Sequence, residues 1–201
     1  MSESDKNSRH IARMQRKKAV VDAHIEAAQV SRGLLLIHTG NGKGKSSSAF
    51  GVLARALGHG FKAAIVQFIK GRSDTGEEAF FRSNSNLNWH VMGDGFTWET
   101  QDPEQDRKSA RAAWQLVCQY LDDASIQLLI LDEFTYALKF GWLSMDEVAT
   151  ALQNRPPMQH VIITGRAAPQ ALIDLADTVT EMLPVKHAFS AGIQAMPGIE
   201  F

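Results

Sequence analysis

The chain has 201 residues, 44% of them hydrophobic, which is enough for one sizeable core and too few for two full-size domains. Its 21 Lys and Arg stand against 22 Asp and Glu, a net charge of −1, so no global field recommends nucleic acid or an anionic membrane, and any anion must be recognised locally. The one cysteine, Cys118, cannot form an internal disulfide, and the polar opening MSESDKNSRHIARMQRKK lacks the apolar stretch of a secretory leader, so a cytoplasmic protein is expected, with no membrane span.

In chain order, the composition from Asp5 to Ser31 favours a helix, with Ile11, Met14, Val21, Ile25 and Ala28 at roughly helical spacing. This arm, residues 1–31, looks peripheral to a main domain of residues 32–201. Its basic cluster of Arg13, Arg16, Lys17 and Lys18 reads as a solvated helix face, or more sharply as an arm closing over an anionic ligand. Short apolar runs then alternate with helical segments. Strands are expected at Leu34 to His38, Ala63 to Phe68, Leu128 to Leu131, His160 to Thr164 and Thr178 to Leu183. Helices are expected from Lys45 to Leu57, Pro103 to Leu121, Ser144 to Leu152, and briefly after Pro169. Runs such as LLLIH, LLIL and HVIIT are apolar on both faces, which implies an α/β fold with a mainly parallel sheet covered by helices on each side. Lys70 to Gln101 reads as a long functional loop or lid, and the tail from Pro184 to Phe201 as a segment that packs on something.

The chemistry starts at residues 38–48, HTGNGKGKSSS. A nucleotide-triphosphate loop of the pattern G-x-x-x-x-G-K-[ST] needs four residues between its glycines, and Gly40 and Gly44 enclose three, Asn41, Gly42 and Lys43. The strand before it and the helix after it nevertheless make the motif strong. Glycines let several N–H groups converge on phosphate, the helix start adds the positive end of its dipole, Lys45 supplies a point charge and Ser46 a hydroxyl for Mg²⁺. Ser47 and Lys43 extend the candidate site, and Arg55, nine residues past Ser46, faces either nucleotide or solvent. A second element, LLILDEFTY, ends an apolar strand in Asp132 and Glu133, as a metal-holding strand end does, and such a strand is expected beside that of the phosphate loop. Arg166, in ITGRAAP, is the best strand-end arginine. The histidines at 10, 24, 38, 59, 90, 160 and 187 show no metal-site spacing. On these features alone an ATPase acting on a macromolecule, a nucleotide sensor and a nucleotide-dependent transferase all remain open.

A third element, GDGFTWET at residues 93–100, places Phe96 and Trp98 two apart, so that they point the same way in an extended chain. TGNGKGKSS, IVQFIKG (65–71), GFTWET (95–100), LDEFTY (131–136), VIITGR (161–166), LADTVTEM (175–182) and PVKHAF (184–189) stand in one order. In that order the chain closely resembles the ATP:corrinoid adenosyltransferases of the phosphate-loop type, from Arg32 to Phe201 and, more loosely, in the N-terminal helix.

The resemblance implies a P-loop, RecA-like fold and transfer of the 5′-deoxyadenosyl group of ATP to the Co(I) of cobalamin or a cobyrinic acid a,c-diamide-type corrinoid, releasing triphosphate. The shortened loop is the family's own form, and Ser46 stands where relatives often carry Thr. It implies Mg²⁺ (or Mn²⁺), with Ser46 and Glu133 as leading metal positions and Asp132 behind them or as an alternate. Gly40 to Ser47, with Lys45 foremost, would grip the triphosphate. Phe96 and Trp98 would displace the lower axial ligand of cobalt so that Co(II) is reduced more easily. A reduced flavin or flavodoxin as electron donor, a homodimer, and an N-terminal helix that helps cover the corrinoid complete the expectation. His187, inside PVKHAF, is the one histidine worth testing.

Overall fold

A computed structural model of the protein describes residues 3–69, 75–93 and 102–200. Two compact units divide the chain, residues 1–32 and 33–201. The first is a helix, α1 (Glu3–Ala27), whose apolar residues Ile11, Met14, Val20, Val21 and Ile25 are all exposed and whose Lys18 pairs with Asp22 one turn on. None of the described helices is long and apolar enough to cross a membrane.

Among its described residues the second unit carries six strands, β1 (Leu35–Thr39), β2 (Ala63–Gln67), β3 (Leu87–Val91), β4 (Leu128–Asp132), β5 (His160–Thr164) and β6 (Thr178–Glu181). They form one sheet in the order β3-β2-β4-β5-β1-β6, and every pairing is parallel. Helices connect them: α2 (Lys45–Gly58), α3 (Gly76–Phe81), α4 (Pro103–Asp122), α5 (Thr135–Lys139), α6 (Met145–Asn154) and α7 (Gln170–Leu175). A 3₁₀ turn, Phe189–Ala191, follows in the tail.

Alternation along each strand sends side chains to two separate cores. Leu35, Ile37, Ala64, Val66, Leu129, Leu131, Val161 and Ile163 meet residues of α4, α5 and α6 on one face, among them Trp114, Val117, Ala137 and Val148. Ala63, Ile65, Leu128, Ile130 and Ile162 meet Ala49, Phe50 and Leu53 of α2 on the other. This two-sided burial is why the strands read as unbroken apolar runs.

Two expectations are corrected. The stretch from Lys70 to Gln101 is not all loop, because residues 75–93 contain α3 and the edge strand β3. β3 buries Leu87 and Trp89 on one face and exposes Asn88 between them, an alternation that the sequence carries over too few residues to stand out among polar neighbours. The acidic strand β4 is not beside β1, because β5 lies between them.

The start of β1 depends on a close backbone approach. Gly33 donates its N–H to the Pro157 carbonyl at 2.6 Å, and a Cβ there would stand 2.1 Å from the Gln159 carbonyl oxygen. Gly33→Ala is expected to destabilise the domain by about 1–3 kcal/mol, the usual cost of forcing one carbon into a packed site. A urea unfolding midpoint unchanged from the parent would contradict that packing.

Candidate active site

The loop between β1 and α2 is shaped by two glycines in the left-handed region, Gly40 (φ 93°) and Gly44 (φ 104°). It rests on the exit of β6. Met182 N–H donates to the Thr39 carbonyl at 2.9 Å, and Gly42 N–H donates to the Met182 carbonyl at 2.6 Å. Side chains at Gly40 or Gly42 would strike that backbone, 2.4 Å from the Met182 oxygen and 2.8 Å from Leu183.

The helix that follows is prepared for an anion. Of the longer helices in this unit, α4 is capped by the Asp102 carboxylate and α6 by the Ser144 hydroxyl, whereas the 14-residue α2 begins at Gly44 with no side-chain cap and no acidic residue in its first turn, and the short α3, α5 and α7 also lack a side-chain cap. The first N–H groups of α2 and the positive end of its dipole are therefore left to an external acceptor. Lys45 is 6% exposed and donates from Nζ to the Gly42 carbonyl at 2.8 Å, which folds the amine back over the loop. Burial pushes its pKa down from the usual lysine value, partly offset by the charges of Glu133 and Asp132, while Arg166 and Lys43 push it further down. A buried amine among two further cations marks a place where negative charge is welcome.

Asp132, 1% exposed, joins three segments. Its Oδ1 accepts from Ser46 Oγ at 2.7 Å and from Thr164 Oγ1 at 2.7 Å, and its Oδ2 accepts from Gln67 Nε2 at 2.8 Å. The Ser46 hydroxyl thus faces Asp132. Glu133 follows in the left-handed region at φ 54°, a strained position for a residue with a side chain, and its N–H is held by Thr164 Oγ1 at 3.0 Å. Gln67 and Thr164 were not among the expected site residues. Each is a polar residue closing an apolar strand, in AAIVQ and HVIIT, and that position was the available signal.

The remaining candidates separate. Asn41 and Ser47 are exposed on the loop and at the head of α2. Lys43 is exposed and paired with Glu200 of the tail. Arg166 lies close enough to Lys45 to act on its charge, and its carbonyl accepts from Thr135 Oγ1 at 2.7 Å. Arg55 is not brought to the loop. It sits near the last turn of α2, lining a groove with Leu34, His59 and His160 where the strands begin, about 13 Å along the helix from Ser46 at 1.5 Å per residue. His187 Nδ1 accepts from the Phe189 N–H at 3.1 Å, a local turn contact. Phe96 and Trp98 lie outside the described residues.

The tail does not pack as expected: its apolar residues Val185, Phe189, Ile193, Met196 and Ile199 are all exposed, although Gly198 and Ile199 line an open cavity of about 310 Å³ with Gly76, Glu77, Phe80 and Phe81 of α3.

A strand, a glycine loop, an uncapped helix and a buried acid at a second strand end make a nucleotide site, but they do not choose among chemistries. Residues 31–201 match the family model described as ATP:corrinoid adenosyltransferase BtuR/CobO/CobP. The chain belongs to this family. Residues 1–25 also match the family's separate model, cob(I)alamin adenosyltransferase N terminal. A corrinoid adenosyltransferase of Pseudomonas aeruginosa is 58% identical over 203 residues, covering all of both chains. Those of Escherichia coli K12 and Salmonella typhimurium are each 45% identical over 195 residues, covering 97% of this chain and 99% of theirs. As an ATP:corrinoid adenosyltransferase the chain transfers the adenosyl group of ATP to a corrinoid, so the ATPase and sensor readings give way.

Proposed function

We propose that the bond broken is the one between C5′ of ATP and its oxygen, and that the acceptor is the Co(I) of cobalamin or a cobyrinic acid a,c-diamide-type corrinoid. The cobalt lone pair attacks C5′, the C5′–O electron pair leaves on the triphosphate, and the metal ends as an alkyl-Co(III). The observation that carries this reading is the junction of an uncapped α2 with a buried Lys45, inside a chain of the adenosyltransferase family. The loop grips all three phosphates as one leaving group. Lys45 and the α2 N–H groups stabilise the charge that grows on it, and Lys43 adds a second cation. Arg166 adds positive charge beside Lys45.

A hydroxyl facing a buried carboxylate suits Mg²⁺ (or Mn²⁺), which takes one or two protein oxygens and fills its remaining positions with phosphate and water. Among the described residues no group of three or more His, Cys, Asp or Glu side chains could hold an ion unaided. Ser46 and Asp132 would hold it, with Glu133 beside them, and the ion would neutralise charge on the departing triphosphate. Phe96 and Trp98 are assigned to the corrinoid, where they displace the lower axial ligand. A reduced flavin or flavodoxin supplies the electron, and the working enzyme is a cytoplasmic homodimer. The family resemblance supports these last assignments.

The test uses ATP, Mg²⁺ and a chemically reduced corrinoid, and looks for a photolabile alkyl-cobalt spectrum with stoichiometric triphosphate. Orthophosphate in place of triphosphate would sink the proposal. Trp98→Ala is expected to slow adenosylation severely when a flavoprotein supplies electrons and to spare it when a strong reductant has already formed Co(I). Equal losses in the two assays would remove the tryptophan from the reductive step.

A further inference from the structure

Among the described residues three side chains donate to Asp132: Ser46 and Thr164 hold one oxygen, and Gln67 holds the other. Gln67 is fully buried at the end of β2, directly across the sheet from Asp132 in register. Its amide is fixed at both ends, with Nε2 donating to Asp132 Oδ2 at 2.8 Å and Oε1 accepting from the indole Nε1 of Trp89 at 3.0 Å. An indole N–H can only donate and an ionised carboxylate can only accept, so this pair admits a single orientation of the amide between them. Trp89 is 7% exposed on β3 and packs against Phe50 of α2, ring centroids 5.3 Å apart, so its own orientation is set by the helix that carries Ser46.

We propose that Gln67, keyed by Trp89, is a positioning residue that turns the Asp132 carboxylate so that Oδ1 faces the Ser46 hydroxyl and the metal–triphosphate site. The proposal rests on the reading of Ser46 and Asp132 given above. When Ser46 turns its hydroxyl oxygen to a metal, Thr164 and Gln67 are the two donors that keep the carboxylate plane fixed. Without the indole N–H the amide is free to rotate, and its carbonyl would then oppose the carboxylate oxygen. A buried polar chain of this kind acts as a unit, so the effect of Trp89 should reach the site only through Asp132.

The experiment measures ATP binding by calorimetry with Mg²⁺ and with EDTA, for the parent protein, Trp89→Phe, Gln67→Leu, Asp132→Asn and the double variant Trp89→Phe/Asp132→Asn. Trp89→Phe keeps an aromatic ring and removes the donor. It is expected to weaken binding about fivefold with Mg²⁺ and to leave metal-free binding unchanged, and Gln67→Leu should lose about tenfold or more of the Mg²⁺-dependent affinity, the scale of a hydrogen bond to a charged group. In the Asp132→Asn background Trp89→Phe should add nothing. Equal weakening with and without Mg²⁺, or a drop in melting temperature with Mg²⁺-dependent affinity intact, overturns the positioning role and leaves a structural one. If the parent protein binds ATP equally in both conditions, the metal-site reading falls and the positioning role falls with it.

Discussion

Lys45→Ala is expected to lower kcat/KM for adenosyl transfer from ATP by roughly 10²–10³-fold, the loss seen when one preorganised stabiliser of a developing anion is removed. The size follows from where the amine sits. Lys45 is buried, held by the Gly42 carbonyl, and placed among Arg166, Lys43, Asp132 and Glu133, so its charge acts through little solvent and pays no reorganisation when the triphosphate departs. Lys43 is no substitute, because it is exposed and already engaged with Glu200. Lys43→Ala should therefore cost only a fewfold loss. The assay should use a chemically reduced corrinoid, so that electron delivery does not limit the rate. Because removing a buried cation relieves a desolvation penalty, the melting temperature of Lys45→Ala should not fall. Comparable losses for the two lysines, or a collapse of the fold in Lys45→Ala, would contradict the assignment.

Gly40→Ala is the second change expected to be severe. It places a side chain at φ 93° and 2.4 Å from the Met182 carbonyl oxygen, backbone that cannot swing away as a flexible side chain could. Forcing a residue into such a region costs about 1–3 kcal/mol, or roughly 5- to 150-fold in ATP affinity if the loop escapes by leaving its bound shape. Gly44 provides the control. It has a similar φ of 104°, but a Cβ there would meet only the Met182 sulfur, at 3.5 Å. Gly44→Ala should carry the backbone strain without the collision and bind ATP more tightly than Gly40→Ala, and the reverse order in an ATP titration would show that the loop does not lean on Met182.

Much of this arrangement could be read from residue order. The runs LLLIH, LLIL and HVIIT became central parallel strands because burial on both faces leaves them no polar side, and the loop was recognisable despite its missing residue because a strand and a helix flank it. What escaped depends on contacts distant in sequence. β3 is an edge strand with one half-buried face, so its alternation is faint, and the place of β5 between the loop strand and the acidic strand is a property of strand order that no local pattern encodes. Arg55 was overrated for a reason helix geometry could have supplied, since nine residues carry a side chain to the far end of α2. Glu133 ranked ahead of Asp132 as a metal position on the family resemblance, whereas the folded chain turns Asp132 to Ser46 and tips Glu133 into a left-handed turn. Gln67 and Trp89 are 22 residues apart, and nothing short of the fold announces that they touch.

The contact between the loop and Met182 has a dynamic consequence. β6 is the outer strand of the sheet, exposed on both faces and held along one side by β1, so it is among the segments that should open most readily to solvent. The nucleotide loop borrows its footing from that strand, with Gly42 and Thr39 bonded to Met182 at its exit. A ligand that fixes the loop must then suppress the fraying of β6, and fraying of β6 must loosen the grip on the ligand, since the two events share one free energy. Amide hydrogen exchange should register this as slowed exchange at Thr178 to Met182 on adding ATP.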